Sequence, residues 1–383
     1  MIKQNPKANE KDPIRKPSTD ISPRKESDIT AGGKEDAEKK NRQRRASRNF
    51  VPIIMSFALI LILGIAVLQA QVDASITLQG TYSDNVFQLS DDDFSRFDDE
   101  HPNLGYVETT DDLTLSARFD LAYPLQYRWW KVVPSITGTL SQNASNKDKN
   151  RQDMLLRMKV QRHYWDFTIL YGFYPYVYVR SYVDSDGTGE LEKYSYERNL
   201  YRADLNLRPL DKTTLRLHAR TENYYYNQYF TEFDGRADTF GMGFRQAFPV
   251  FTIEGTYYYR IFENKDLILD PEDCSYESNL YAGSLRLKAM PLNDSKPKGA
   301  TWYPSLALSY EERFYQSDDS WYGGRIDMIY NTKAGINFKI SPKWNLILDY
   351  THVLRNVDSP NASVMRLKEY RENRFAAAVK YDF

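Results

Sequence analysis

"LTLSARFDL" (residues 113–121) places Leu113, Leu115, Ala117, Phe119 and Leu121 on one side of an extended chain. Thr114, Ser116, Arg118 and Asp120 fall on the other. Alternation with period two is the pattern of a β-strand with one apolar and one polar face. The same pattern recurs in "ASITLQGTYS" (74–83), "YRADLNLRP" (201–209), "LRLHARTE" (215–222) and "LYAGSLRLKA" (280–289). From residue 72 onward there is almost no 3.6-residue periodicity, so the class is all-β. What remains is which face points inward.

The connections decide it. One set is short: "PLQYRWW", "RHYWD", "RPLDKT", "QAFPV", "ISPKW" and the longer "MPLNDSKPKGATW". Between them fall long segments at 84–109, 142–151, 181–196, 223–236, 263–277, 314–323 and 356–369. Short turns at one end and long loops at the other are the arrangement of an antiparallel up-and-down transmembrane β-barrel, whose apolar face is outside. The alternation predicts about 14 strands, near 73–83, 111–122, 131–141, 152–162, 165–178, 198–208, 213–222, 237–246, 250–260, 279–289, 303–313, 325–340, 344–354 and 372–383. An even number puts both ends on the short-turn side.

Composition agrees. Of 383 residues, 27% are charged and 30 are Tyr, a residue that suits strands and membrane interfaces. Mean hydropathy is -0.65, which excludes a bundle of membrane helices. Trp129, Trp130, Trp165, Trp302 and Trp344 lie at short-turn ends, and Trp321 lies in a long loop. Tyr224, Tyr226, Tyr257, Tyr259, Tyr310 and Tyr330 are expected at the opposite rim, the two sets forming aromatic girdles. The single cysteine, Cys274, rules out an internal disulfide.

Residues 1–49 are polar, with a disordered composition, and end in the basic run "KKNRQRRASR". An apolar stretch follows, so 50–70 reads as a signal sequence with cleavage after Ala70 or Ala74, the alternative being an uncleaved anchor. Residues 71–383 form the barrel, and their acidic excess is not the balance of a nucleic-acid binder.

The last ten residues, "RFAAAVKYDF", alternate again, with Phe375, Ala377, Val379, Tyr381 and Phe383 on one face. "VKYDF" resembles the C-terminal assembly signal of bacterial outer-membrane proteins, and Val379, Tyr381 and Phe383 match it. The resemblance implies an outer-membrane location, surrounding lipid and recognition by the barrel-assembly machinery. "GTYSDNVFQLS" (80–90) resembles the first-strand segment of some barrels tied to polysaccharide or lipoprotein export.

No residue set reads as catalytic, metal-binding or cofactor-binding. His101, His163, His218 and His352 lack metal-ligand spacing. His352 has Asp349 and Thr351 nearby, but alternation sets Asp349 on the opposite face. His218 is expected in the interior wall beside Arg216 and Arg220. The acidic "SDDDFSRFDDEHPN" (90–103) reads as a solvated loop, and "NYYYNQYFTEF" (223–233) as girdle running into a loop.

The polar face carries the functional expectation. Predicted pore-lining residues are Arg118, Arg157, Lys159, Arg202, Arg208, Arg216, Arg220, Glu254, Arg286, Lys288, Lys333 and Asp349. Further inward bases are Arg260, Lys339, Arg374 and Lys380; further inward acids are Asp120, Asp204, Glu222, Asp238, Glu311 and Asp382. Bases exceed acids, and wall charge sets ion preference. The expected function is a porin-like channel, not an enzyme, passing small hydrophilic and anionic solutes, as a monomer or homo-oligomer. Two alternatives are a barrel exporting or anchoring a surface polymer, and a sealed structural or adhesive barrel.

Overall fold

The computed structural model describes residues 72–184, 187–264, 273–292, 299–317 and 319–383. The leader 1–49, the signal segment 50–70 and the cleavage position after Ala70 lie outside the described residues.

Fourteen long strands follow one another: β1 (Asp73–Ser83), β2 (Asp112–Ala122), β3 (Trp130–Asn143), β4 (Arg151–Arg162), β5 (Trp165–Val183), β6 (Leu191–Leu210) and β7 (Thr213–Tyr226). Then come β8 (Gly235–Ala247), β9 (Phe251–Asn264), β10 (Tyr276–Leu287), β11 (Thr301–Tyr315), β12 (Ile326–Lys339), β13 (Trp344–Asp358) and β14 (Tyr370–Asp382). Two short ladders, Leu125–Tyr127 and Met290–Pro291, lie in turns at the short-turn end. Each long strand pairs antiparallel with its chain neighbours. β14 returns to β1, from Ser75 opposite Asp382 to Ser83 opposite Arg374. The sheet is therefore closed and has no free edge to satisfy.

The register decides which face is outside. Leu78 sits opposite Ala117 and Val379, Leu217 opposite Leu205 and Met242, Leu306 opposite Leu285 and Ala334, and Leu308 opposite Gly283 and Thr332. These rows form one continuous apolar surface, with Leu308, Met242, Phe240 and Leu217 all more than half exposed. The alternate residues point into the enclosed space. Such a belt is stable only against hydrocarbon, which fixes the barrel as membrane-spanning. Leu308 lies near the middle of β11, so Leu308→Arg should lower folding stability in lipid vesicles by about 2–4 kcal/mol. A urea titration of folding would measure it; an unchanged midpoint would place that face away from lipid.

Three expectations are corrected. The long loop expected at 181–196 is mostly strand, leaving 184–190 between β5 and β6. Irregularities at Tyr174/Val177 and Tyr178/Arg180 shift the phase there, so simple alternation loses the strand. Asp238 lies on the outer face, opposite Thr221 and Ile261, because Phe240, Met242 and Phe244 set that strand's outward phase. It pairs with Arg236 at 2.9 Å and accepts from Thr221 at 2.6 Å, which holds its charge at the rim. Tyr224 and Tyr226 belong to the inner face, where Tyr224 is buried with Ala237 and Phe262 and Tyr226 packs against that cluster. Tyr257, Tyr259, Tyr310 and Tyr330 remain on the outside.

Among the described residues two short α-helices occur in the long loops, where only loop was expected. In α1 (Asp91–Asp98), the Ser90 hydroxyl caps the Asp93 N–H at 3.1 Å, and three acids occupy the first turn. In α2 (Ala362–Lys368), Asn361 caps the Ser363 N–H at 3.0 Å.

Candidate functional site

The polar face of the wall holds a continuous series of arginines. Reading across paired strands, Arg157 faces Leu170, which faces Arg202, which faces Arg220. Arg220 then faces Thr239, followed by Arg260, Ser278 and Arg313. One cross-strand row therefore carries five arginines from β4 to β11. Barrel strands tilt by about 35–45°, so such a row climbs the wall instead of circling at one height. Arg157 stands five residues from the short-turn end of β4, and Arg313 stands twelve from that of β11. The row rises from the short-turn half to the long-loop rim.

Its upper part converges on one carboxylate. Glu222, 2% exposed, lies 3.3 Å from Arg198, 3.3 Å from Arg220 and 3.0 Å from Arg260. One carboxylate cannot accept from every guanidinium donor around it. Accordingly, Nε of Arg198 and Arg260 has no hydrogen-bond partner among the described residues, and Nε of Arg220 approaches Glu222 at 3.3 Å without hydrogen-bond geometry. Arg198 instead lies over the Tyr174 ring at 4.0 Å, and Arg260 donates to the Tyr224 hydroxyl at 2.9 Å.

The predicted lining residues fall on the enclosed face as follows. Arg202 pairs with Asp204 at 2.8 Å, and Asp204 also meets His218 Nδ1 at 2.7 Å. The His218 ring packs edge-on against Tyr258, which lies over Gly241, where a side chain would collide with it. Arg208 and Lys159 share Asp166, Lys159 at 3.5 Å. Arg216 donates to Asn206 at 3.0 Å. Arg286 lies 5.7 Å from the Tyr303 ring. Arg157 is exposed and makes no ion pair among the described residues. Lys288 stands just beyond β10, its N–H donating to Val250.

On the other side of the barrel most inward charges are matched, Lys339 at the end of β12 being without an ion pair among the described residues. Arg118 pairs with Asp120 at 2.9 Å, Lys333 with Asp349 at 2.9 Å and Lys380 with Asp382 at 2.8 Å. Glu254 is likewise matched by Arg245 at 3.2 Å. The positive surplus lies on the arc from β4 to β10. Arg198 and Arg313, absent from the sequence-derived set, belong to the same wall; each shares strand parity with a residue in it, Arg202 and Glu311. His352 sits on the outer face against Asn373 at 2.8 Å, and Asp349 turns inward, so the two cannot act together. Among the described residues no group of three or more His, Cys, Asp or Glu is placed to hold a metal ion.

At the long-loop end the segment 84–111 folds over the mouth. Phe87, Leu89, Leu104 and Val107 are buried with Tyr178 at the top of β5, and Phe94, Phe97 and Tyr106 pack around them. Arg180 clasps this segment. It donates to the Phe87 carbonyl at 3.0 Å, to Asp93 at 3.0 Å and to the Gln88 carbonyl. Gln88 takes a left-handed backbone, φ 56°, which is costly for a residue with a side chain and aims that carbonyl at the guanidinium. From the loop after β3, Lys149 donates to Val179 at 2.8 Å and lies 4.4 Å from the Phe87 ring. Burial there pushes its ammonium down to about 7. Asn85 anchors the near end through the Arg371 carbonyl at 2.9 Å, and α2 packs against α1.

At the opposite end Val379 faces Leu78 and Leu346, and Tyr381 faces Ile76 and Trp344. The Tyr381 ring lies 4.7 Å from Trp344 and 5.0 Å from Phe383. The Phe383 N–H donates to the Ala74 carbonyl at 3.1 Å, and its ring is exposed. Ala74 is thus part of the closing seam.

No protein-family model matches the chain, and no curated protein sequence matches it. Among solved structures it is similar to the outer membrane channel DcaP of Acinetobacter baumannii: 12% identity, TM-score 0.44, covering 82% of this chain and 96% of that one. It is also similar to an anion-selective porin from Comamonas acidovorans: 8% identity, TM-score 0.41, covering 82% and 99%. A third is a bacterial polysaccharide outer membrane secretin: 8% identity, TM-score 0.43, covering 81% and 98%. Likenesses this distant carry no argument about solute or mechanism.

Proposed function

We propose that this chain is an outer-membrane channel for passive passage of small hydrophilic solutes, with a preference for anions. The observation that carries the reading is the rising arginine row on a wall whose positive charge exceeds its negative charge. Solvated wall cations draw anions in and repel cations through the field they set up in the enclosed water. Arg157 and Arg286 are exposed on the enclosed face, which supports a water-accessible lower lumen. Arg118, Lys159, Arg202, Arg208, Arg216, Arg220, Lys288 and Lys333 line the same path, with Glu254 and Asp349 setting its local charge. No chemical step is required. In this reading Val379, Tyr381 and Phe383 are the mark by which assembly machinery recognises the last strand, and lipid contacts the apolar belt.

Arg157, Arg216 and Arg286 make no carboxylate pair among the described residues, so replacing them disturbs the fold least. In planar bilayers under a tenfold KCl gradient, the native chain should show an anion-preferring reversal potential. Arg157→Gln, Arg216→Gln and Arg286→Gln together should move it toward zero or beyond. A cation preference in the native chain would end the reading.

A track of guanidiniums rising through the wall equally suits a polyanionic chain threaded along it, which keeps polymer export as the second reading. Liposome swelling by small solutes favours the channel; passage confined to long acidic polysaccharide favours export.

A further inference from the structure

Beneath the folded segment, between α1, α2 and the top of β5, lies a cavity of about 230 Å³. Among the described residues its wall includes Arg96, Arg180 and Lys368 and, of the acids, only Asp93. Asp93 is already engaged, 3.0 Å from Arg180 and 3.8 Å from Arg96. Arg180 is consumed by the clasp. Lys368 makes no ion pair among the described residues; its ammonium stands over the Tyr182 ring at 5.8 Å and the Trp321 ring at 5.7 Å, cation–π contacts that leave its N–H donors for a ligand. Arg96, on the last turn of α1, keeps a largely free guanidinium, 44% exposed. Asn103 and Ser181 bring neutral hydrogen-bonding groups to the same wall.

We infer that this cavity binds one ring of a sugar acid. The carboxylate lies between Lys368 and Arg96, a sugar face lies on Trp321, and ring hydroxyls meet Asn103 and Ser181. Three features select this chemistry. The uncommitted charges are cationic, so a carboxylate gains charge-assisted hydrogen bonds. The flat aromatic surface next to them suits the C–H face of a pyranose, and the neutral polar groups suit hydroxyls. The volume is below the roughly 300–1,000 Å³ of pockets that enclose drug-sized ligands, which limits the occupant to about one ring. The site lies where the long loops cover the mouth, so it would select solutes before they reach the arginine row. That purpose rests on the channel reading; the binding itself does not.

The test is a fluorescence titration of the full chain, folded in detergent, with D-galacturonate, D-glucose and benzoate. Trp321→Phe serves as the background, because the other five tryptophans lie at the opposite end. Saturable change with galacturonate, lost in Trp321→Phe, is expected. Lys368→Met should weaken it by about tenfold or more, and Lys368→Arg should retain it. Glucose binding as tightly as galacturonate would overturn the carboxylate assignment. Benzoate binding as tightly would overturn the sugar assignment. No saturable change, in a native chain with unaltered heat-modifiable migration, would overturn the site. Since no current is measured, that failure leaves the reversal-potential result untouched.

Discussion

Replacing Glu222 by alanine should cost the barrel about 3–5 kcal/mol, the penalty of breaking a buried ion pair from one side. The carboxylate holds Arg198, Arg220 and Arg260 together from three neighbouring parts of the wall, at 3.3, 3.3 and 3.0 Å. Without it, three guanidiniums face one another in a space where the acid itself is 2% exposed. Arg198 and Arg260 keep partial compensation from the Tyr174 ring and the Tyr224 hydroxyl, which the charge repulsion outweighs. Urea-dependent folding in vesicles, followed by tryptophan emission, would show the midpoint falling steeply, with Glu222→Gln between the two. A Glu222→Ala midpoint equal to the native one would mean that solvent or ions already neutralise the cluster.

Arg180→Ala should release the segment over the mouth. The guanidinium holds the Phe87 and Gln88 carbonyls and Asp93 at once, and hydrogen bonds to a charged group contribute about 1.5–3 kcal/mol each. Losing even one such contribution multiplies the open fraction by roughly 10- to 150-fold. Single-channel conductance should then rise, or long closures should disappear from the record. Arg180→Lys, which keeps the charge and loses the fork, should fall between. Unchanged conductance and gating in Arg180→Ala would show that Phe87, Leu89, Leu104 and Val107 hold the segment by packing alone.

The sequence revealed the strands and their number because lipid imposes strict alternation on every residue between the interfaces. Strand ends were less legible where side chains leave that regime. At Tyr174–Arg180 local irregularity breaks the phase, and β5 and β6 run on beyond the expected ends. Alternation identifies the inward bases but not their partnerships, because Arg202, Arg220 and Arg260 come together only through pairing register. A one-residue slip would scatter them. Asp238, expected among the inward acids, shares the outward phase of Phe240 and Met242 and lies on the outer face. The clasp at Arg180 and the Lys368 cavity join segments more than eighty residues apart in the chain, and no local pattern announces them.

The slope of the arginine row has a mechanical corollary. Neighbouring strands lie about 4.8 Å apart, so Arg202 and Arg220 are adjacent rungs, whereas Arg220 and Arg260 are separated by a strand carrying Thr239. In the proposed channel, cargo handed along these rungs would advance by revolving about the long axis, like a nut on a bolt. A compact ion can make each transfer independently; a stiff rod spanning several rungs must corkscrew or lose its grip.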